Sequence, residues 1–230
     1  MKLSIVIPVY NEEKTVGQIL EKVCALELPW EKEIIVVNDG SKDKSEEKIT
    51  PFQNKITYLK QDNKGKGSAV MTGIARATGD YIVIQDADLE YDPTDFARMI
   101  EATGNNNVVY GSRLTKLPVL FGKNRTPLLL HFIGNKFLSL VVSILYGTWL
   151  TDMETCYKMF PKKAINQITI NAKGFEFEPE ITAKFLKKGY TIKEIPITTK
   201  PRDYNEGKKL NTWKDGKKAI FALLKYRFYD

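Results

Sequence analysis

Three short apolar runs, Leu3 to Val9, Glu33 to Val37 and Tyr81 to Gln85, each break off into a cluster of polar and turn-forming residues. Runs that are apolar throughout, rather than alternating, suit strands covered on both faces, which is the situation in a parallel sheet. Between the first two runs, Glu12 to Leu26 places Val16, Ile19, Leu20 and Val23 on one face at helical spacing, completing a βαβ unit. A strand at Ile56 to Leu59 and a helix from about Gly67 to Ala77 continue the alternation up to the Tyr81 strand. Pro93 then suits the first turn of a helix running to about Ala102, ahead of a buried strand at Val108 to Tyr110. The first 112 residues therefore predict an open α/β sheet whose ligands sit outside the carboxyl ends of the strands.

After Ser112 the alternation stops. A Gly/Pro/Lys-rich loop at Thr115 to Pro127 leads into an apolar helix at Leu128 to Tyr146, a short strand near Cys156 to Phe160 and a helix around Pro179 to Lys188. Ile192 to Ile197 reads as a late strand and Trp213 to Tyr226 as a basic amphipathic helix. The net charge of +7 is local: residues 187–230 hold twelve basic and five acidic side chains, leaving the first 186 residues balanced. That pattern suits a local anionic partner, a pyrophosphate or a membrane headgroup, better than a protein coated for nucleic acid. Cys24 and Cys156 have no CxxC neighbour and no metal-type spacing with the single histidine, His131, so neither a disulfide framework nor a Cys/His zinc site is expected, and the chain reads as cytosolic. The N-terminus reads as a strand rather than a signal peptide, and the Leu128 to Tyr146 stretch is too interrupted to span a bilayer.

That apolar stretch carries His131, Asn135, Ser139 and Ser143 every four residues, a narrow polar stripe on an otherwise apolar helix. A helix of this kind is either a core element or one lying in a membrane interface. His131 reads as a satisfied polar position rather than a catalyst.

The polar clusters at the strand ends are Pro8-Val9-Tyr10-Asn11-Glu12, Asn38-Asp39-Gly40-Ser41 and Gln85-Asp86-Ala87-Asp88, and adjacent parallel strands bring such ends to one crevice. Asp86 and Asp88, one residue apart, can offer oxygens to one hard divalent cation that also meets substrate phosphates. Asp pairs before a helix are often only caps, but this one follows an apolar strand introduced by Gly79-Asp80-Tyr81-Ile82. Gly65 and Gly67 lack P-loop spacing and read as close packing at a helix start.

With Asn63-Lys64-Gly65-Lys66-Gly67 between the second and third clusters, the chain resembles glycosyltransferase family 2, whose members carry an IPxYNE strand end, an NDGS or DDGS strand end, a Gly-rich helix start and a GDYIxxxDAD metal motif. Within that family it is similar to the dolichol-phosphate mannose synthase branch, on Gly111-Ser112-Arg113, Thr151-Asp152-Met153-Glu154-Thr155-Cys156-Tyr157-Lys158, Pro201-Arg202 and Glu206-Gly207-Lys208-Lys209. The resemblance implies a GT-A-like, Rossmann-like open mixed sheet flanked by helices, in one domain over residues 1–230. Residues 1–112 would form the nucleotide-binding half and 113–230 the acceptor-binding half. It implies an inverting, Mg2+- or Mn2+-dependent transfer of a sugar from a nucleoside-diphosphate sugar, of the GDP-mannose or UDP-glucose type, to a polyprenyl phosphate. The enzyme would sit peripherally at the cytoplasmic membrane face.

Residue by residue, the resemblance implies that Pro8, Tyr10, Glu12, Val37 and Asp39 line the nucleoside pocket and that Asp86, Ala87 and Asp88 meet the donor, Asp86 and Asp88 holding the metal. Glu90, where relatives carry Gln, would be a third ligand. Arg113, Arg202 and Lys208 would contact phosphates, and Arg125 is a further candidate for the acceptor phosphate. Asp152 would act as a base or position the acceptor, against the plainer reading of a turn cap after Thr151. Rival classes are a family 2 transferase to a saccharide, a sugar-1-phosphate nucleotidyltransferase and a non-enzymatic basic membrane-surface or RNA-binding module. The nucleotidyltransferase should show a Gly-rich, Arg-containing loop after the first strand, which Pro8 to Glu12 lacks, and the basic module leaves Asp86 and Asp88 unexplained.

Overall fold

A computed structural model of the chain describes residues 1–114, 129–200 and 212–229. In chain order the elements begin with β1 (Lys2–Val9), α1 (Val16–Ala25), β2 (Glu31–Asp39), α2 (Ser45–Ile49), β3 (Thr57–Gln61), α3 (Lys66–Arg76) and β4 (Tyr81–Ile84). They continue with α4 (Phe96–Glu101), β5 (Asn107–Ser112), α5 (Leu129–Tyr146), β6 (Lys158–Pro161), α6 (Lys162–Ile165), α7 (Phe177–Lys187), β7 (Thr191–Pro196) and α8 (Thr212–Phe228). Pro93 opens a 3-10 turn, Pro93–Asp95, that leads into α4, with the Asp92 side chain accepting from the Thr94 N–H as its cap.

The strands form one mixed seven-stranded sheet in the order β3-β2-β1-β4-β6-β5-β7. β1 pairs in parallel with both β2 and β4, and β6 runs antiparallel between β4 and β5. The late strand expected from Ile192 is β7, parallel to β5. β1 is apolar because it has no solvent face: Leu3, Ile5, Val6, Ile7 and Val9 are all fully buried. The chain leaves β1 toward β2 and β3 on one side and reaches β4 on the other, so the connections diverge above the carboxyl ends of β1 and β4. A crevice must open there.

Two apolar clusters hold the layers. The larger surrounds the sheet; the smaller joins α5, α7 and α8 through Leu138, Val142, Ala183, Ala219, Ala222, Leu223 and Tyr226. In α5 Ser139 and Ser143 of the polar stripe point inward. Ser139 Oγ accepts from the Met153 N–H at 3.0 Å and Ser143 Oγ from the Leu150 N–H at 3.1 Å, tying the following turn to the helix. The opposite face, Ile133, Phe137, Leu140 and Ile144, is 46–73% exposed. The helix is therefore core on one side and an apolar surface on the other. The side chain of His131 lies outside the described residues.

The amino end of the sheet is fastened by one carboxylate. Glu33 on β2 accepts from Ser4 Oγ (2.5 Å), Thr78 N–H (2.6 Å) and Gly79 N–H (3.1 Å) through Oε1, and from Thr78 Oγ1 and Lys2 Nζ, both at 2.7 Å, through Oε2. Partial burial acts to raise its pKa, but the donors from Lys2, Ser4 and Thr78 bring the carboxyl down from 4.5 to about 2. Its contribution to stability is therefore complete above the unfolded-state pKa and lost as pH falls toward the folded value. In urea unfolding, Glu33→Gln is expected to lose about 1–3 kcal/mol at neutral pH and to show a flatter stability profile than wild type between about pH 5 and pH 2. Parallel profiles for the two proteins would remove Glu33 from this role.

Candidate active site

The crevice is a cavity of about 470 Å3 whose lining includes Pro8, Tyr10, Glu12, Asp39, Asp86, Ala87, Asp88, Glu90 and Arg113. Its size suits a small organic ligand. Of the residues expected there from the sequence, Val37 and Asp152 do not line it. Val37 is fully buried and turned under α3, where a Cβ built on Gly73 would lie 3.3 Å from Val37 Cγ2; the alternation of side chains along β2 puts Val37 in the core instead. Arg202, Lys208 and Arg125 lie outside the described residues.

The first wall is built by two loops locked together. Asn11 takes a left-handed conformation (φ 52°) that Asn tolerates, its N–H donating to Ser41 Oγ and its Oδ1 accepting from the Lys42 N–H. Glu12 N–H donates to Ser45 Oγ at 2.8 Å and Glu13 N–H to Asp43 at 3.0 Å, so the loop after β1 is clamped to the loop after β2.

Asp39 borders the cavity but is 2% exposed, and its carboxylate accepts from Gln61 Nε2 (2.7 Å), Lys64 N–H (2.9 Å) and Gly65 N–H (2.9 Å). It thereby sets the loop that starts α3. Gly65 and Gly67 pack as the sequence suggested: a Cβ on either would come within 2.6 Å of a carbonyl oxygen of residues 172–173, and Gly65 has a φ of +97° besides. Beside that strip, Gly174 and Phe175 border the cavity.

The floor is a network of buried charge. Lys66, the first residue of α3, places Nζ 3.0 Å from Asp86 and 3.6 Å from Glu178 and donates to Cys156 Sγ. Burial disfavours its charge, yet Asp86, Cys156 and Glu178 raise its pKa well above the ordinary value. Lys158, fully buried, pairs with Glu178 at 2.6 Å and lies over the Tyr110 ring. Burial, then Asp86, pushes the Cys156 thiol far up, so it stays protonated at neutral pH.

Arg113 borders the cavity and is gripped by Asp152, Nε to Oδ2 and Nη2 to Oδ1 both at 2.7 Å, with its own N–H on Oδ2 at 2.9 Å. Burial opposes the guanidinium charge and Asp152 more than restores it. Asp152 itself is 0% exposed. It stands behind Arg113 and orients it rather than lining the cavity itself.

Asp86, Asp88 and Glu90 border the cavity, and their hard carboxylate oxygens are a donor set that fits Mg2+ or Mn2+. Among the described residues no three acidic or metal-ligating side chains already converge as a cation cluster, so such an ion would complete its shell with oxygens from substrate and water. Asp88 Oδ1 accepts from the Glu90 N–H at 3.1 Å, and Glu90 O accepts from the Lys200 N–H at 2.9 Å.

Lys66, Lys158 and Glu178 have no role that the sequence by itself signals. Lys66 is visible only as the residue between two glycines, and Glu178 lies ninety-two residues from Asp86, so no local pattern joins them. Glu154 and Cys156 stood in a motif without a task. Both border the cavity.

Residues 4–168 match the glycosyl transferase family 2 as a family, and the chain belongs to it. It is 31% identical over 225 residues to the low-salt glycan biosynthesis hexosyltransferase Agl6 of Haloferax volcanii, covering 96% of this chain and 53% of that protein. It is 28% identical over 214 residues to the undecaprenyl-phosphate 4-deoxy-4-formamido-L-arabinose transferase of Photorhabdus laumondii, covering 90% of this chain and 62% of that one. The chain thus spans between half and two thirds of the length of these relatives. Among solved structures, glucosyl-3-phosphoglycerate synthase from Mycobacterium tuberculosis, in complex with Mn2+, uridine diphosphate and glucosyl-3-phosphoglycerate, superposes with a TM-score of 0.69 at 18% identity, over 98% of this chain and 79% of that one. The fold is the GT-A fold that the sheet order and the sequence both indicate.

Proposed function

We propose that this chain transfers a sugar from a nucleoside-diphosphate sugar to a polyprenyl phosphate, with inversion and with Mg2+ or Mn2+, at the cytoplasmic face of a membrane. The observation that carries the reading is the position of α5: Asn135 borders the cavity, while Ile133 and Phe137, two residues to either side, are more than half exposed. A ligand with a phosphate in the cavity and an apolar tail on α5 fits that arrangement. The relative's name includes undecaprenyl phosphate, and the structural neighbour has been crystallised with uridine-diphosphate-glucose and Mn2+ and with Mg2+, which supports the donor and cation classes.

In this reading the two halves divide the work, residues 1–112 binding the nucleotide and 113–230 the acceptor. Pro8, Tyr10, Glu12 and Asp39 shape the nucleoside end. Asp86 and Asp88, with Glu90, would hold the divalent cation, which supplies positive charge for the leaving diphosphate. Lys66 keeps Asp86 in place from below, at 3.0 Å. Arg113, oriented by Asp152, grips the acceptor phosphate; Arg202 and Lys208 meet the diphosphate, Arg202 following by two residues the Lys200 that is bonded to Glu90 O.

An acceptor phosphate oxygen attacks C1 of the sugar from the side opposite the diphosphate, the C1–O bond to the diphosphate breaks, and the nucleoside diphosphate departs with the electron pair. A phosphate monoester, with a second pKa of about 6, is already largely ionised at neutral pH and needs no base. That agrees with an Asp152 committed to Arg113. The protonated Cys156 offers no thiolate for a covalent sugar intermediate.

Two expectations test this. Asp88→Asn should abolish transfer to polyprenyl phosphate from nucleoside-diphosphate sugars while leaving the circular dichroism and unfolding curve unchanged, and chelation should silence the wild type; full activity of the variant in chelator would sink the metal-dependent reading. Phe137→Glu with Ile144→Glu should weaken binding to anionic vesicles by at least about tenfold, since each apolar side chain contributes on the order of 1 kcal/mol when half-buried. Lys217, Lys218 and Lys225 replaced by Glu should weaken it by about 1 kcal/mol per basic residue removed near the surface. Both variants should still use a short, water-soluble prenyl phosphate. Vesicle binding indifferent to all five positions would remove the membrane from the account.

A further inference from the structure

Glu154 is held in place from both sides by main-chain bonds that have no need of its carboxylate. The buried Lys158 ammonium donates to the carbonyl oxygens of Met153 and Thr155, the residues flanking it. Met153 N–H is fixed on Ser139 Oγ, and Thr155 Oγ1 donates to Gly111 O at 2.5 Å. Glu154 on this rigid mount borders the cavity, as Arg113 and Cys156 do.

Its Oε1 is closed off from solvent and, among the described residues, has no hydrogen-bond partner. A buried carboxylate oxygen left without a donor costs on the order of 1–3 kcal/mol, so a fixed one at a cavity wall is a group waiting for a ligand's N–H or O–H. A second phosphate does not meet that need. Asp86, Asp88, Glu90 and Glu178 border the same space, and an ionised phosphate supplies acceptors only. The neutral donors of a nucleoside-diphosphate sugar are the N–H groups of the base, the ribose hydroxyls and the hydroxyls of the sugar. The first two belong to the nucleoside end, which the reading above gives to Pro8, Tyr10, Glu12 and Asp39, and that leaves the sugar hydroxyls for Glu154.

We infer that Glu154 is the residue that reads a hydroxyl group of the transferred sugar, accepting its O–H on the carboxylate and so helping to set which sugar the cavity takes. The assignment rests on the donor class proposed above and adds to it a named specificity residue. A site built around such a bond rejects an analogue lacking the hydroxyl more strongly than a merely apolar pocket does, because the acceptor is then left buried and unsatisfied.

The experiment compares wild type with Glu154→Gln and Glu154→Ala, using calorimetry with UDP, GDP, UDP-glucose and GDP-mannose in the presence of Mn2+, and transfer kinetics with the deoxy analogues of the accepted donor sugar, one ring position at a time. Wild type should bind one nucleoside diphosphate and its sugar. Glu154→Ala should leave the affinity for the nucleoside diphosphate within about twofold and lower kcat/KM for the sugar donor by about a hundredfold, Glu154→Gln falling between the two because its amide oxygen still accepts. At one ring position the penalty for removing the hydroxyl, tenfold or more in wild type, should vanish in Glu154→Ala. A structural role alone would not single out a position.

If wild type binds a nucleoside diphosphate and its sugar but no position shows this coupling, or if both variants lose nucleoside diphosphate and sugar donor equally, the assignment of Glu154 is overturned and the donor reading stands. If wild type binds none of the four nucleotides, the donor reading fails and this inference with it.

Discussion

Everything in this molecule depends on β1 being paired in parallel on both sides. A strand with β2 on one edge and β4 on the other has no free edge and no exposed face, which is why its sequence is unbroken aliphatic from Ile5 to Ile7 and why Pro8 appears only at its end. The connections leave it in opposite directions, and the crevice above its carboxyl end is a consequence of topology before any side chain is chosen. The loops that follow β1, β2 and β4 then have only one place to meet. The main-chain bonds from Asn11, Glu12 and Glu13 to Ser41, Ser45 and Asp43 convert that meeting into a fixed wall.

Beneath the crevice the governing quantity is charge. Asp86, Asp152, Glu154 and Glu178 stand against Lys66, Lys158 and Arg113, so these floor groups carry four potential negative charges and three positive ones. The ion pairs go to Asp86, Asp152 and Glu178. Glu154 is left over, and burial with the neighbouring Glu178 pushes it up to about 7 against the pull of Lys158 and Arg113. Buried ion pairs of this kind add little net stability, and their use here is to hold side chains in one geometry around a space kept for a ligand. The same cluster explains why Lys158, a residue type seldom fully buried, tolerates that position: two carbonyl oxygens, a carboxylate and the Tyr110 ring surround its ammonium.

The architecture was legible because it is written in local patterns. Apolar runs gave β1, β2 and β4, helical spacing gave α1, and the polar clusters marked the strand ends where the cavity opens. What escaped were features with no local signature. β6 enters the sheet antiparallel between β4 and β5, which no spacing near Lys158 announces. Val37 and Asp152 illustrate a second limit, since a residue can belong to a motif and yet point away from the space the motif builds. The polar stripe on α5 was visible, but its direction was not. The serines turn inward because the Leu150 and Met153 N–H groups need acceptors there, and the apolar face is thereby left outside.

If the crevice at the ends of β1, β2 and β4 receives a nucleoside-diphosphate sugar, as proposed, the bound donor must shield the loops that line it. Hydrogen–deuterium exchange read by mass spectrometry, with and without the donor and Mn2+, tests this most directly. New protection is expected in residues 8–12, 38–41, 63–69 and 86–91, with the amino ends of the same strands unchanged. Protection confined to other surfaces, or none at saturating donor, would contradict the proposal.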